Sequence, residues 1–296
     1  MPIRSTKIRV LLLLCAAHMV LATETDQYTT PRAPLRDIGP ELSRKIVEIM
    51  EADRSGDAPE RILSKWAGRN LFASRLTRWV RAGEAGFRPG VFGSIHRWAY
   101  LAAPTVLIHG HYMGSDKIDH FLRQGYDYFE LAARGGSPVA QGVRQEHTYL
   151  GTLVSGVYSN ADLAANYAGM KFYQNLRQPV RIGERKWPAL FERSGNGWRL
   201  RAGVDADRVL EPFVSDHLDE SLNPSRYRFG RAAIRSRIRE RCGAWAEFYA
   251  DRLELVARSG QSFAETWFGE EYGHWLPLGQ EVSIATECFQ RYDGAR

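Results

Sequence analysis

Between Gly114 and Gly169 three apolar helical stripes carry acid, amide and imidazole side chains at their edges, and this limits how the chain can fold. A short polar group on the core side of a helix must find a partner when it is buried, so these helices have to pack against one another. Ile118, Phe121, Leu122, Gly125 and Phe129 recur at helical spacing from Asp116 to Ala133, with Asp116, His120, Gln124 and Asp127 three or four residues apart beside them. Gly135-Gly136 ends that helix. Pro138 leads into a second, in which Glu146 shares a face with Val143, Leu150, Leu153 and Val154. Ser159-Asn160 caps a third helix that ends near Pro179, and on it Asp162, Asn166 and Gly169 fall in one narrow sector. Gly169 lets a neighbouring helix or a ligand approach closely.

Three such helices packed together bring Asp116, His120, Glu146, Asp162 and Asn166 to one place. Two chemistries suit that set. Asp116, His120, Glu146 and Asp162 offer oxygen and imidazole ligands for a divalent metal such as zinc, iron or manganese. Without a metal, Glu146 is a general base with its pKa raised by apolar neighbours, and His120 is its proton partner. Asp116, Lys117, Asp162, Asn166 and Gly169 are then the ligand-binding positions. A structural account uses the same residues: Asp116 caps its helix, Asp162 supports a helix start, His120 is a satisfied core histidine, and Glu146 pairs with Lys117 or Arg144.

The rest of the chain reads as support. Of its 296 residues, 44% are hydrophobic and 25% charged, enough for one large domain or two modest ones. Residues 1–22, with Arg4, Lys7 and Arg9 before an apolar run, read as a secretory signal, and residues 23–40 as a flexible lead-in. Removing the signal takes the formal net charge from +6 to +3, which argues against nucleic acid as a partner. No later apolar run reaches the ~20 residues of a spanning helix. Cys242 and Cys288 remain, and an oxidising compartment would allow them to pair; Cys242 lies mid-helix in an apolar rhythm, which favours a structural role over a nucleophilic one.

Residues 41–182 form the expected helical core, starting with helices over Leu42 to Met50 and from Pro59 through Trp66. His109-Gly110-His111 is either a glycine turn or, if extended, a pair of imidazoles on one side that could ligate a metal. Residues 183–296 add a β-hairpin around Ser194-Gly195-Asn196-Gly197, a helical stretch from Asp205 to Glu220, and a long helix from Phe229 to Arg258. The fold class is thus mainly α, a bundle-like body with a small β-hairpin insertion. Asp216, His217, Asp219 and Glu220 are a second polar group on an acidic turn. Arg226, Arg228, Arg231, Arg235, Arg237, Arg239 and Arg241 make a basic run that suits an anionic membrane surface, or simply a solvated face. Zinc-protease, nucleotide-binding and serine-hydrolase motifs are absent.

The order Asp-Lys-x-x-His-Phe at Asp116 to Phe121, then Glu146, then Asp-x-x-x-Asn-x-x-Gly at Asp162 to Gly169 resembles the polar pattern of the VanZ-like family and the related YfiM-like bacterial envelope proteins. Asp116, Lys117, His120, Glu146, Asp162, Asn166 and Gly169 match it position by position, over about a fifth of the chain. The resemblance implies a bacterial envelope location, periplasmic or envelope-associated, without a settled reaction; a metal-assisted or acid-base hydrolase acting on an envelope lipid or glycan is an alternative reading of the same pocket. Two departures stand out: the spanning helices of the VanZ-like members are missing, and Gly156 occupies the place where many of them carry a basic residue.

Overall fold

The computed structural model describes residues 35–68, 105–147, 157–223, 225–227, 231–248 and 282–289. The secretory signal and nearly all of the lead-in read from the sequence lie outside these residues. Among those described, 56% are helical and 17% extended, with four separate two-stranded antiparallel sheets. The architecture is therefore mixed α/β, which corrects the expectation of a mainly α bundle with one hairpin. The strands are three or four residues long, too short to show alternation, and this is why periodicity overlooks them.

Helix α1 (Gly39–Ala52) starts on Pro40 and buries Leu42, Ile46, Val47 and Met50, and α2 (Pro59–Ala67) buries Ile62 and Leu63 beside it. Strands β1 (Thr105–Ile108) and β2 (His111–Gly114) form a hairpin across the two-residue turn His109-Gly110, with φ of 47° and 79°. The Asp37 carboxylate accepts the backbone N–H groups of both turn residues and of Gly39, holding the hairpin against α1. The two imidazoles diverge from this turn. His109 Nε2 lies 3.1 Å from Ser43 Oγ, and His111 Nδ1 lies 2.7 Å from Asp216 Oδ1, so the glycine-turn reading holds.

The helix expected over Asp116 to Ala133 is present but interrupted. It consists of α3 (Asp116–Asp119), a π-helical turn (His120–Gln124) and α4 (Gly125–Ala133). Next come α5 (Pro138–His147), β3 (Val157–Ser159) and α6 (Asn160–Asn175). Helix α6 is buried almost all round, from Asn160 through Met170, and is the axis of the main core. It crosses the π turn and α4 at glycines: a Cβ on Gly125 would lie 2.7 Å from the Gly169 Cα, and one on Gly169 would overlap the Phe121 carbonyl oxygen. The Tyr173 hydroxyl donates to the Leu122 carbonyl, 2.7 Å away, tying α6 to the π turn.

Hairpins β4 (Val180–Ile182) with β5 (Arg185–Trp187) and β6 (Phe191–Ser194) with β7 (Gly197–Leu200) follow; the second is the hairpin read from the sequence. The expected helix from Asp205 to Glu220 is instead three 3-10 turns, at Ala206–Arg208, Glu211–Phe213 and Asp216–Leu218, with Pro212 in the middle one. The long helix expected from Phe229 is broken at Glu240-Arg241 into α7 (Arg231–Arg239) and α8 (Cys242–Phe248), and its continuation to Arg258 lies outside the described residues. A second small core gathers Val157, Leu222, Tyr227, Ile234, Ile238, Trp245, Val282 and Ile284 around β3 paired with β8 (Ser225–Tyr227). Cys242 and Cys288 form a disulfide there, which removes Cys242 as a nucleophile. No described helix is long and apolar enough to cross a membrane.

Candidate functional site

The site is built where α3 and the π turn meet the first two turns of α6. Ser159 caps α6 by accepting the Asp162 N–H at 3.1 Å, which fixes Asp162 in the first turn with its carboxylate toward α3. Asn166, four residues on, lies on the same face, as the spacing requires.

Lys117 is the centre of the arrangement and is fully buried, 0% exposed. Its aliphatic stem borders an apolar cavity of about 20 Å³ between Leu42, Ile46, Met113, Phe121 and Leu218. Its ammonium donates to Asp116 Oδ2 at 2.7 Å, Asp162 Oδ1 at 2.6 Å and Glu220 Oε1 at 2.9 Å. A lysine has three donors, and these three carboxylates use them. Burial opposes the charge, but Asp116 and Asp162 outweigh it and raise the Lys117 pKa above its ordinary value. The three acidic partners favour the ammonium form, so Lys117 acts as a positive charge at the centre of the site.

On the far side of those carboxylates lies a second convergence. One ligand atom each from Asp116, His120 and Asp162 lies within 4.8 Å of the others, close enough to hold a metal ion. His120 Nε2 is 3.4 Å from Asp162 Oδ2, while Nδ1 is 3.1 Å from Asn166 Oδ1. The Asn166 amide is oriented by donating from Nδ2 to Gln124 Oε1 at 2.8 Å, so its oxygen faces the imidazole and accepts from Nδ1–H. In the neutral imidazole this leaves a lone pair on Nε2 facing a carboxylate oxygen. The Nε2 to Asp162 Oδ2 contact is one that a proton or a cation can bridge. His120 and Asp116 keep 16% and 22% of their side-chain surface exposed, while Asp162 and the Asp116 Oδ1 atom are buried. Burial opposes ionisation of Asp116, yet the Lys117 and His120 charges outweigh it and hold its pKa below the ordinary value.

Glu146, expected among the ligands, stands apart from that trio. It is buried on α5, accepts the Ser159 N–H at 3.4 Å, and has its pKa pushed well up by burial and then by the Asp162 charge. Gly169 sits at the helix crossing. Glu220, placed by its sequence in a separate acidic turn, proves to be part of this site: it accepts from Lys117 and, at 2.7 Å, from the Ser159 hydroxyl. Its place between Leu218 and Leu222 was the available signal, since an acid flanked by core leucines needs a buried partner. Tyr128 is also near; the space for its buried hydroxyl exists because Gly142 lacks a side chain. In the basic run, Arg235 and Arg239 are engaged by the buried Glu287 at 2.9 and 2.6 Å.

Comparison with known proteins yields no matching family model, no matching curated protein and no matching solved structure.

Proposed function

We propose that this chain is an exported bacterial cell-envelope protein in which Asp116, His120 and Asp162 hold one divalent cation, with Glu146 as a neighbouring proton carrier. One observation carries the reading: ligand atoms of Asp116, His120 and Asp162 lie within 4.8 Å of one another, with the His120 ring held by Asn166, which Gln124 orients in turn. An outer hydrogen bond on the distal imidazole nitrogen is the usual support of a metal-ligating histidine. Lys117 gives the same support to the carboxylates, binding one oxygen of each and leaving the other, Asp116 Oδ1 and Asp162 Oδ2, for the cation. Three protein ligands leave coordination positions for water or substrate, and a bound cation there would supply Lewis-acid activation for hydrolysis of an envelope lipid or glycan. The Glu146 proton would serve the leaving group. The envelope placement is supported by the basic and apolar N-terminal stretch, by the VanZ-like polar pattern and by a disulfide, a crosslink that persists in oxidising compartments.

The test is manganese and zinc titration by calorimetry, with electron paramagnetic resonance for manganese, on the wild type and on His120→Ala, Asp162→Asn and Asn166→Leu. One site per chain is expected, lost in the first two variants and weakened about 10–100-fold in the third, whose residue orients a ligand without being one. A wild type that binds neither ion would overturn the proposal and leave a structural ion network.

A further inference from the structure

We propose that the Cys242–Cys288 disulfide is a redox latch on the Lys117 site, acting through the C-terminal segment that clamps Glu220 and Ser159 in place. The disulfide joins positions 46 residues apart and ties the start of α8 to the π-helical turn Ala285–Phe289. The residues just before that turn hold the site's outer wall. Val282 exchanges two backbone hydrogen bonds with Ser225, at 3.1 and 2.7 Å, and the Ile284 N–H donates to the Ser221 carbonyl at 2.8 Å. Ser221 follows Glu220 directly, and Ser225 pairs with Ser159 in the β3–β8 ladder. Glu220 and Ser159 are bonded to each other, and Glu220 to Lys117. Disulfide, Val282–Ile284, the Ser221 and Ser225 backbone, and the Glu220–Ser159–Lys117 group thus form one unbroken chain of contacts.

Cys242 is half-buried and Cys288 buried, so a dithiol attacks at Cys242. Its thiolate forms a mixed disulfide, its second thiol resolves it, and two cysteine thiols remain while the dithiol leaves as its own disulfide. What then holds the segment is the single Ser225–Val282 bridge, the Ile284–Ser221 hydrogen bond, the burial of Val282 and Ile284 in the small core, and the pairs of Glu287 with Arg235 and Arg239, arginine side chains that are 35% and 45% exposed. Partly exposed ion pairs hold weakly against solvent and salt. Once the segment is released, β8 is left with β3 as its partner and Glu220 loses its backbone restraint, so Lys117 no longer holds Asp116 and Asp162 in fixed orientation.

The latch itself does not depend on a cation; only its effect on affinity rests on the function proposed above. Hydrogen exchange by mass spectrometry on the full chain, oxidised and reduced with dithiothreitol, tests it together with the Cys242→Ser/Cys288→Ser double variant. The expected result is exchange about tenfold or more faster in peptides covering 220–227 and 282–288, with the hairpin at 191–200 unchanged. Manganese affinity, measured on the double variant in the absence of dithiol, should fall by about tenfold. Unchanged exchange after confirmed loss of the crosslink would overturn the latch, and so would equal acceleration in the 191–200 hairpin, which would make the disulfide a global brace. An oxidised wild type that binds no manganese would sink the cation site while the exchange data still decide the latch.

Discussion

Replacing Lys117 by methionine keeps most of the side-chain volume and removes one charge from the centre of the core. Three carboxylate oxygens at 2.6 to 2.9 Å then lose their shared cation. Charge-assisted hydrogen bonds contribute about 1.5–3 kcal/mol each, but three that meet at one atom are not additive. The better guide is the cost of breaking a buried ion pair from one side, about 3–5 kcal/mol. At about 2–4 °C per kcal/mol this lowers Tm by roughly 6–20 °C. The pH dependence has a definite sign. Without the ammonium the carboxylates take up protons in the folded state, so their folded pKa values rise above the unfolded ones. Stability relative to the wild type is then least impaired below the unfolded carboxylate range and worsens as pH rises through it. The wild-type lysine behaves in the complementary way: its folded pKa is above 10.5, so its contribution is complete below that value and lost only at higher pH. Circular dichroism melts of both proteins from pH 4 to 8 provide the assay. A loss under about 1 kcal/mol at pH 7.5, or a deficit that does not shrink on acidification, would refute the burial of an ionised lysine among these acids.

Two further substitutions test neighbouring parts of the argument. Glu146→Gln should flatten the pH dependence of stability. Because the wild-type pKa is raised in the folded state, wild-type stability relative to the variant is greatest below 4.5 and declines as pH rises toward the folded pKa, by at most about 1.4 kcal/mol per unit; urea unfolding curves that retain this slope in the variant would remove Glu146 as the proton-binding group. Gly169→Ala should cost about 1–3 kcal/mol or more, since the new methyl meets the Phe121 backbone carbonyl and not a movable side chain. Helix propensity alone would stabilise by about 1 kcal/mol, so a gain in urea denaturation would show that the helices do not cross there.

Local chemistry made part of this site legible in the sequence. Ser159 as a cap, Asp162 and Asn166 on one face and Glu146 among apolar residues all follow from spacings within a single helix. What brings Glu220 to Lys117 is tertiary, across 103 residues, and no helical period encodes it. Lys117 read as a ligand-binding position as part of the Asp-Lys-x-x-His-Phe pattern; its complete burial became visible only with α1, β2 and the 3-10 turn Asp216–Leu218 packed over it. The fold class was misread for a physical reason as well. Strands such as Val180–Ile182 and Arg185–Trp187 supply only three residues each, and a two-residue turn does more to define them than alternation does. The break at Glu240-Arg241 has neither proline nor glycine to announce it, so the apolar rhythm ran on as one helix.

The π turn at His120–Gln124 divides one helix into two independent phases. A π turn accommodates one residue more than an α-helix would, and one residue is worth about 100° of rotation. Ahead of it, Lys117 is aimed at Asp162 of α6; behind it, Gly125 and Tyr128 are aimed at Gly169 and Gly142. A regular α-helix over the same stretch could satisfy one of these alignments but would rotate the other away. The irregular turn is therefore the joint that lets a polar centre and a close glycine crossing share one helix, and deleting a single residue within it would separate the two without changing any side chain in either.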